Sequence, residues 1–301
     1  MRRRLLLSLA GLLVAGMALY GCNNPDALNR VLGSLGGGQV GDYAASAVKG
    51  VQAVAHAAED FTPQQEYYIG RAVGAVLLTQ YHPYKDAKAN AYVNEVGQAL
   101  AMFSDMPQTY GGYHFLIMDS AAINAFAAPG GLIFITRGML RCCSGENALA
   151  AVLAHEIGHV EHKDALRAIK RARTTEALAI IGGEAAKQLG GADMARLTSI
   201  FADSVGDILS TMVNNGYSRT LEYEADRAAI TILTRTGYSP SGLPDMLEEM
   251  QKRLTPGAAD FAKTHPAPAD RIHELASLAR VAEIHEPPAR VARFKAALGN
   301  I

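Results

Sequence analysis

Hydrophobic positions fall into three textures along the chain. An apolar run at 5–20 follows Arg2-Arg3-Arg4 and closes on Gly21-Cys22. The next stretch, 22–42, carries Gly33, Gly36, Gly37, Gly38 and Gly41 and few large apolar side chains, the composition of a flexible tether. From Thr62 onward apolar residues recur at helical spacing, interrupted between 112 and 135 by β-branched and aromatic residues.

The helical stretches predict elements at 64–78, with Thr62 as N-cap and Pro63 in the first turn, and at 87–103. A helix also starts at Ser144 or Gly145 and ends near His162. Two long helices, 164–189 and 192–214, flank Gly190-Gly191, and further helices fall at 219–236, 240–254, 268–282 and 288–298. Strands are predicted at 113–118, 122–127 and 132–135, with a Pro129-Gly130-Gly131 turn between the last two. The fold class is α+β, predominantly helical, with a small sheet of about three strands. Glu184, Lys187, Asp203 and Asp207 interrupt the long helical pair too often for a membrane span, which reads as a hairpin in water.

The N-terminal texture has the order of an export signal: basic residues, a short apolar run, then small residues. Leu19-Tyr20-Gly21-Cys22 resembles a bacterial lipobox, which makes Cys22 the expected lipid attachment point. The expected organisation is therefore 1–21 signal peptide, 22–60 flexible tether and N-terminal segment, and 61–301 a single folded domain. The resemblance implies a lipid anchor in the cell envelope facing the periplasm, and Asn23 after the cysteine favours the outer membrane.

Composition narrows the function. At 49% hydrophobic residues the chain can build a substantial core. Its net charge of −1 and lack of a Lys/Arg run beyond residues 2–4 leave no basic stripe, which excludes nucleic-acid binding. Cys142 and Cys143 are adjacent, a spacing unsuited to a zinc knuckle or a relaxed disulfide.

The chemistry concentrates at His155-Glu156-Ile157-Gly158-His159. Four residues of helix rise about 6 Å and return to the same face, so both imidazoles can meet one ion. Glu156, about 100° around the helix from His155, lies where a general base for a metal-activated water belongs. A third ligand is required. The metzincin solution would place glycine at position 162 and histidine at position 165, but His162 and Ala165 stand there. The other solution is a later glutamate with an aspartate one turn on to orient a ligand histidine. Among glutamates after the motif, only Glu222 has an aspartate, Asp226, four residues later. Glu224 falls on the opposite helix face and reads as a solvated charge. Tyr217 could donate to a developing oxyanion, yet a tyrosine at a helix entry is the plainer account. The remaining histidines have no partner at ligand spacing.

Ser218-Arg219-Thr220-Leu221-Glu222-Tyr223-Glu224-Ala225-Asp226 resembles the SRxxExEAD signature of the HtpX, BepA and LoiP-like zinc peptidases, a gluzincin family that includes the CAAX prenyl proteases. Asn124 to Gly131 resembles the family's NAFA-x-PGG segment, and Thr264-His265-Pro266 with Pro268 and Arg271 resembles its THPxPxxR segment.

The resemblance implies a zincin-type fold and one Zn2+ per chain. Leu132, Ile133, Phe134 and Ile135 would form the edge strand that binds extended substrate beside Asn124. His265 would either plug the metal or stabilise the oxyanion, and Arg219 would support the site or form a structural ion pair. Implied substrates are misfolded or misassembled envelope proteins, with envelope assembly machinery as a possible partner. The alternative is a zinc-binding assembly factor with latent or minor proteolysis. Because the sequence stops at Ile301 soon after the last helix, no tetratricopeptide partner-binding extension is expected.

Overall fold

A computed structural model describes residues 60–171, 204–254, 264–276 and 285–301. Cys22, the signal and tether, and most of the expected 164–189 and 192–214 hairpin lie outside these residues. The described parts of 61–169 and 204–301 belong to one compact unit. They are largely helical with one small sheet, so the fold class is as expected. Among the described residues no helix is long and apolar enough to cross a membrane.

Helix α1 (Pro63–Gln80) starts where the sequence places its cap. Thr62 accepts from the Gln65 N–H, and the Gln65 side chain answers to the Thr62 N–H, a reciprocal capping box. Helix α2 (Ala87–Ala101) is capped by Asp86. Strands β1 (His114–Met118), β2 (Ala125–Ala128) and β3 (Leu132–Thr136) follow, and then the short α3 (Arg137–Leu140).

The strand order is β1-β3-β2, with β3 parallel to β1 and antiparallel to β2. This corrects the expectation for 132–135. Leu132 to Ile135 lie in the central strand, hydrogen-bonded on both sides, and cannot accept an added strand. Among the described residues β2 pairs only with β3, so β2 is the edge beside the motif. The edge expectation came from the resemblance alone; a continuous apolar run such as 132–135 also fits a strand buried on both faces.

Alternate residues of the sheet enter two cores. Ile133, Ile135, Ala125 and Ala127 join α2 and helix α4 (Glu146–Glu161), while Phe134, Phe126 and Ala128 pack against Val73 and Leu77 of α1. Helix α4 carries the HExxH motif and is buried along almost its whole circumference, which explains a sequence apolar all round rather than on one stripe. A seven-residue helix, α5 (Ser204–Ser210), runs into a π-helical turn, Thr211–Asn215. Helices α6 (Arg219–Thr236), α7 (Gly242–Arg253), α8 (Pro268–Leu275) and α9 (Pro288–Leu298) complete the unit.

Helix α6 packs on α4 at Gly158. A Cβ there would sit 3.0 Å from the Ala225 carbonyl oxygen and 3.1 Å from the Ala228 Cβ. The glycine inside the motif therefore sets how closely the two site-bearing helices approach.

The start of α4 is held from a distance. Glu146, fully buried at its first turn, accepts from Tyr92 at 2.7 Å and Tyr238 at 2.8 Å, and is paired with Arg293 of α9 through two short contacts. Gly145 offers no side-chain cap; the Glu286 carboxylate accepts from the Asn147 N–H at 2.7 Å instead. Negative charge at a helix N-terminus is favourable. These partners hold Glu146 below its ordinary 4.5: burial alone would raise it, but Arg293, Tyr92 and Tyr238 outweigh that effect.

Candidate active site

His155 and His159, one turn apart on α4, bring their Nε2 atoms to within 3.1 Å of each other. Glu222, in the first turn of α6, faces them, each imidazole Nε2 lying 3.6 Å from one of its oxygens. His265 completes the group, with Nε2 3.6 Å from Glu222 Oε1. Ligand atoms of these four buried residues all lie within 4.8 Å of one another, so the sequence-selected His155, His159, Glu222 and His265 are brought together.

The other ring nitrogens face carboxylates. His155 Nδ1 lies 2.9 Å from Asp226 Oδ1, and His159 Nδ1 lies 2.8 Å from Asp164 Oδ2. Each Nδ1–H donated to a carboxylate fixes the tautomer that leaves Nε2 free to ligate. Asp226 was expected from its spacing to Glu222. Asp164 was missed, although an aspartate just past the motif was the available signal.

Arg271, fully buried at the start of α8, donates through Nε to Asp226 Oδ2 at 2.9 Å and through Nη2 to Asp226 Oδ1 at 2.5 Å. It locks the carboxylate that orients His155, and together with His155 it outweighs burial to hold Asp226 below its usual range. Sequence reasoning cited Arg271 only as a motif letter. Of the two accounts open for Arg219, support of the site or a structural ion pair, its exposed position and its pairing with Asp270 at 3.5 Å favour the ion pair.

Both oxygens of Glu222 and Oε1 of Glu156 are buried with no hydrogen-bond partner among the described residues. Burial raises Glu222 to about 8 and Glu156 to about 7. His155 is depressed to about 3 by burial and by Arg271. Burial would also lower His159, but Asp164, Glu222 and Glu156 together lift it to about 9. Unpartnered buried carboxylate oxygens facing two oriented imidazole nitrogens are costly unless a cation joins them. The donor set therefore fits a divalent metal, and a nitrogen- and carboxylate-rich set of this kind suits zinc.

Beside these groups runs a cleft lined by Ala125, Phe126, Ala127, Glu156, Met212 and Tyr217, among others. Asn124 precedes its edge strand with its side chain buried, the Oδ1 accepting from the Ala125 N–H. Glu224 is paired with Arg167 at 2.7 Å, as befits the outward-facing carboxylate of its helix.

Comparison with known proteins agrees with this geometry. The description "Peptidase family M48" matches residues 87–279, which include both site-bearing helices and Arg271. The chain belongs to peptidase family M48. The M48 chain is 30% identical over 213 residues to the β-barrel assembly-enhancing protease of Escherichia coli strain K12, covering 69% of this chain and 41% of that protein. It is 30% identical over 204 residues to the mitochondrial metalloendopeptidase OMA1 of Schizosaccharomyces pombe, covering 67% and 55% respectively. Against the metalloprotease LoiP of E. coli it is 28% identical over 153 residues, covering 51% and 57%. The match thus spans about two-fifths of the length of the assembly-enhancing protease. What this chain contains is therefore a peptidase family M48 domain.

Proposed function

We propose that this protein is a zinc endopeptidase that hydrolyses misfolded or misassembled proteins of the cell envelope. The observation that carries the reading is the buried convergence of His155 and His159 Nε2 on Glu222 oxygens that have no hydrogen-bond partner among the described residues. His155, His159 and Glu222 would hold the zinc, which supplies Lewis acidity and an acidified water when bound. Glu156, buried and raised to about 7, takes the proton of the attacking water and passes it to the departing amine. Asp226 and Asp164 keep the ligand rings in register, and Arg271 holds Asp226.

Substrate adds as an extended strand along the edge of β2, a mode that reads main chain more than side chains. The lipobox-like Cys22 and the name of the β-barrel assembly-enhancing relative support an envelope address at the outer membrane, facing the periplasm.

The test is metal content by mass spectrometry on wild-type and Glu222→Ala protein, with casein hydrolysis on the same samples. One zinc per wild-type chain, lost in Glu222→Ala, together with casein cleavage that disappears in Glu156→Gln, is the expected result. Folded wild type that takes up no supplied zinc would remove the reading.

The position of His265 favours a second reading of the same site as latent. Its imidazole stands among the ligands, and its Nδ1 is 3.0 Å from Thr264 Oγ1. A fourth protein ligand occupies the place that water needs in an open catalytic site. Proteolysis would then await displacement of His265, and an assembly-factor role could persist without it. An envelope defect still complemented by Glu156→Gln would favour that role.

A further inference from the structure

The cleft contains a hydroxyl that the proteolytic scheme leaves unused. Tyr217 lies just before α6, its ring centroid 4.6 Å from that of His159 and its plane tilted 37°. The residue as a whole is half-buried, but its hydroxyl is buried and has no hydrogen-bond partner among the described residues. A helix-entry role does not account for it, because Ser218 caps α6, accepting from the Leu221 N–H.

The backbone is specially built to deliver this side chain. The π-helical turn Thr211–Asn215 ends at Gly216, which has φ +70° and lies so close to Thr264 that a Cβ would meet the Thr264 carbonyl oxygen at 2.1 Å. Single π-turns and left-handed residues recur where a chain must aim a functional group. Tyr217 lines the cleft together with Glu156, His265 and the β2 edge. A buried donor left without an acceptor costs roughly 1–3 kcal/mol unless a ligand supplies one.

We propose that Tyr217 is a catalytic residue, its phenol donating a hydrogen bond to the scissile carbonyl oxygen as that oxygen gains negative charge. The proton stays on the phenol throughout. The acceptor is a main-chain carbonyl, so the contact serves any polypeptide sequence. The assignment rests on the peptidase reading.

Tyr217→Phe keeps the ring against His159 and removes only the donor. Zinc content and KM should match wild type while kcat falls about 100-fold, the usual size of one oxyanion donor. Calorimetry on the zinc-loaded proteins gives a readout independent of turnover. A phosphinic peptide, which carries a tetrahedral anion, should bind the variant at least roughly 30-fold more weakly than wild type, and an unreactive extended peptide equally well.

Phosphinic-peptide affinity within about twofold of wild type, or lost zinc accompanying the lost activity, would overturn the assignment. Should Tyr217→Phe not fold, 3-fluorotyrosine at 217 reports instead: its fluorine resonance should move on phosphinic-peptide binding, and an unmoved resonance counts against the contact. If wild-type protein loaded with zinc binds no phosphinic peptide, the peptidase reading fails and this proposal falls with it. Tight phosphinic-peptide binding shared equally by wild type and variant isolates the failure to Tyr217 alone.

Discussion

Asp226 Oδ1 stands 2.9 Å from His155 Nδ1 while both Asp226 oxygens accept from Arg271. The ring that faces the metal site is thus aimed by a carboxylate that is itself immobilised. Replacing an orienting carboxylate of this kind commonly lowers metal affinity about 10–100-fold. Asp226→Asn and Arg271→Met should each weaken zinc binding by about that factor, read by competition with a chromophoric chelator. Unchanged affinity in both would show that His155 is oriented by packing alone.

Metal uptake should depend steeply on pH. Burial raises Glu222, and the carboxylates of Asp164, Glu222 and Glu156 raise His159 against its own burial, so the coupled pair holds protons near neutral pH before a cation arrives. Binding must release them. Zinc affinity should therefore weaken as pH falls through about 8, and calorimetry near pH 7 in buffers of different ionisation enthalpy should show roughly one to two protons released. Proton release near zero would contradict these shifts.

Gly158→Ala tests the spacing of α4 and α6. The new methyl would lie 3.0 Å from the Ala225 carbonyl oxygen, so α6 must shift by a few tenths of an ångström. Overpacking of this sort costs about 1–3 kcal/mol. The variant should unfold at lower temperature and bind zinc roughly tenfold more weakly, because Glu222 moves with α6. A stable variant with full zinc affinity would mean that the interface yields freely.

Acid should loosen the start of α4. Glu146 is held below its ordinary 4.5, so the unfolded chain binds its proton at higher pH than the folded one. The resulting stabilisation is complete above 4.5 and disappears as pH falls through the folded value. Urea midpoints should therefore drop below pH 4.5 in wild type and vary less with pH in Glu146→Gln. Arg293→Met should cost about 2–3 kcal/mol at neutral pH, discounted because Arg293 is half exposed.

His265→Ala should keep its zinc and raise casein hydrolysis at least roughly fivefold, since three ligands remain and the fourth position opens to water. A comparable fall in turnover at unchanged zinc content would assign His265 to catalysis instead.

Much of the site was legible because its parts obey local rules. The His155 and His159 spacing is helical, the Glu222–Asp226 spacing is one turn, and Thr62 with Gln65 is a complete cap within four residues. What the sequence hid was relational. The central place of β3 depends on which strands pair, information absent from a short apolar run. Arg271 serves Asp226 across 45 residues, and its place in the THPxPxxR-like segment marks the residue without naming that partner. Glu146 is one acid in a helix's first turn as far as its own segment shows; its partners Tyr92, Tyr238 and Arg293 come from three separate helices or their ends.

The hold of α9 on α4 also has a meaning in time. Arg293 follows Glu146 by 147 residues, so it leaves the ribosome, and enters any export channel, long after both motif histidines. A contact of such sequence separation forms late, because the chain between must first be closed into a loop. An unfinished chain would carry His155, Glu156 and His159 on a helix whose buried first-turn acid lacks its countercharge. Anchoring of the motif helix is thereby tied to delivery of a segment made 147 residues after its first turn.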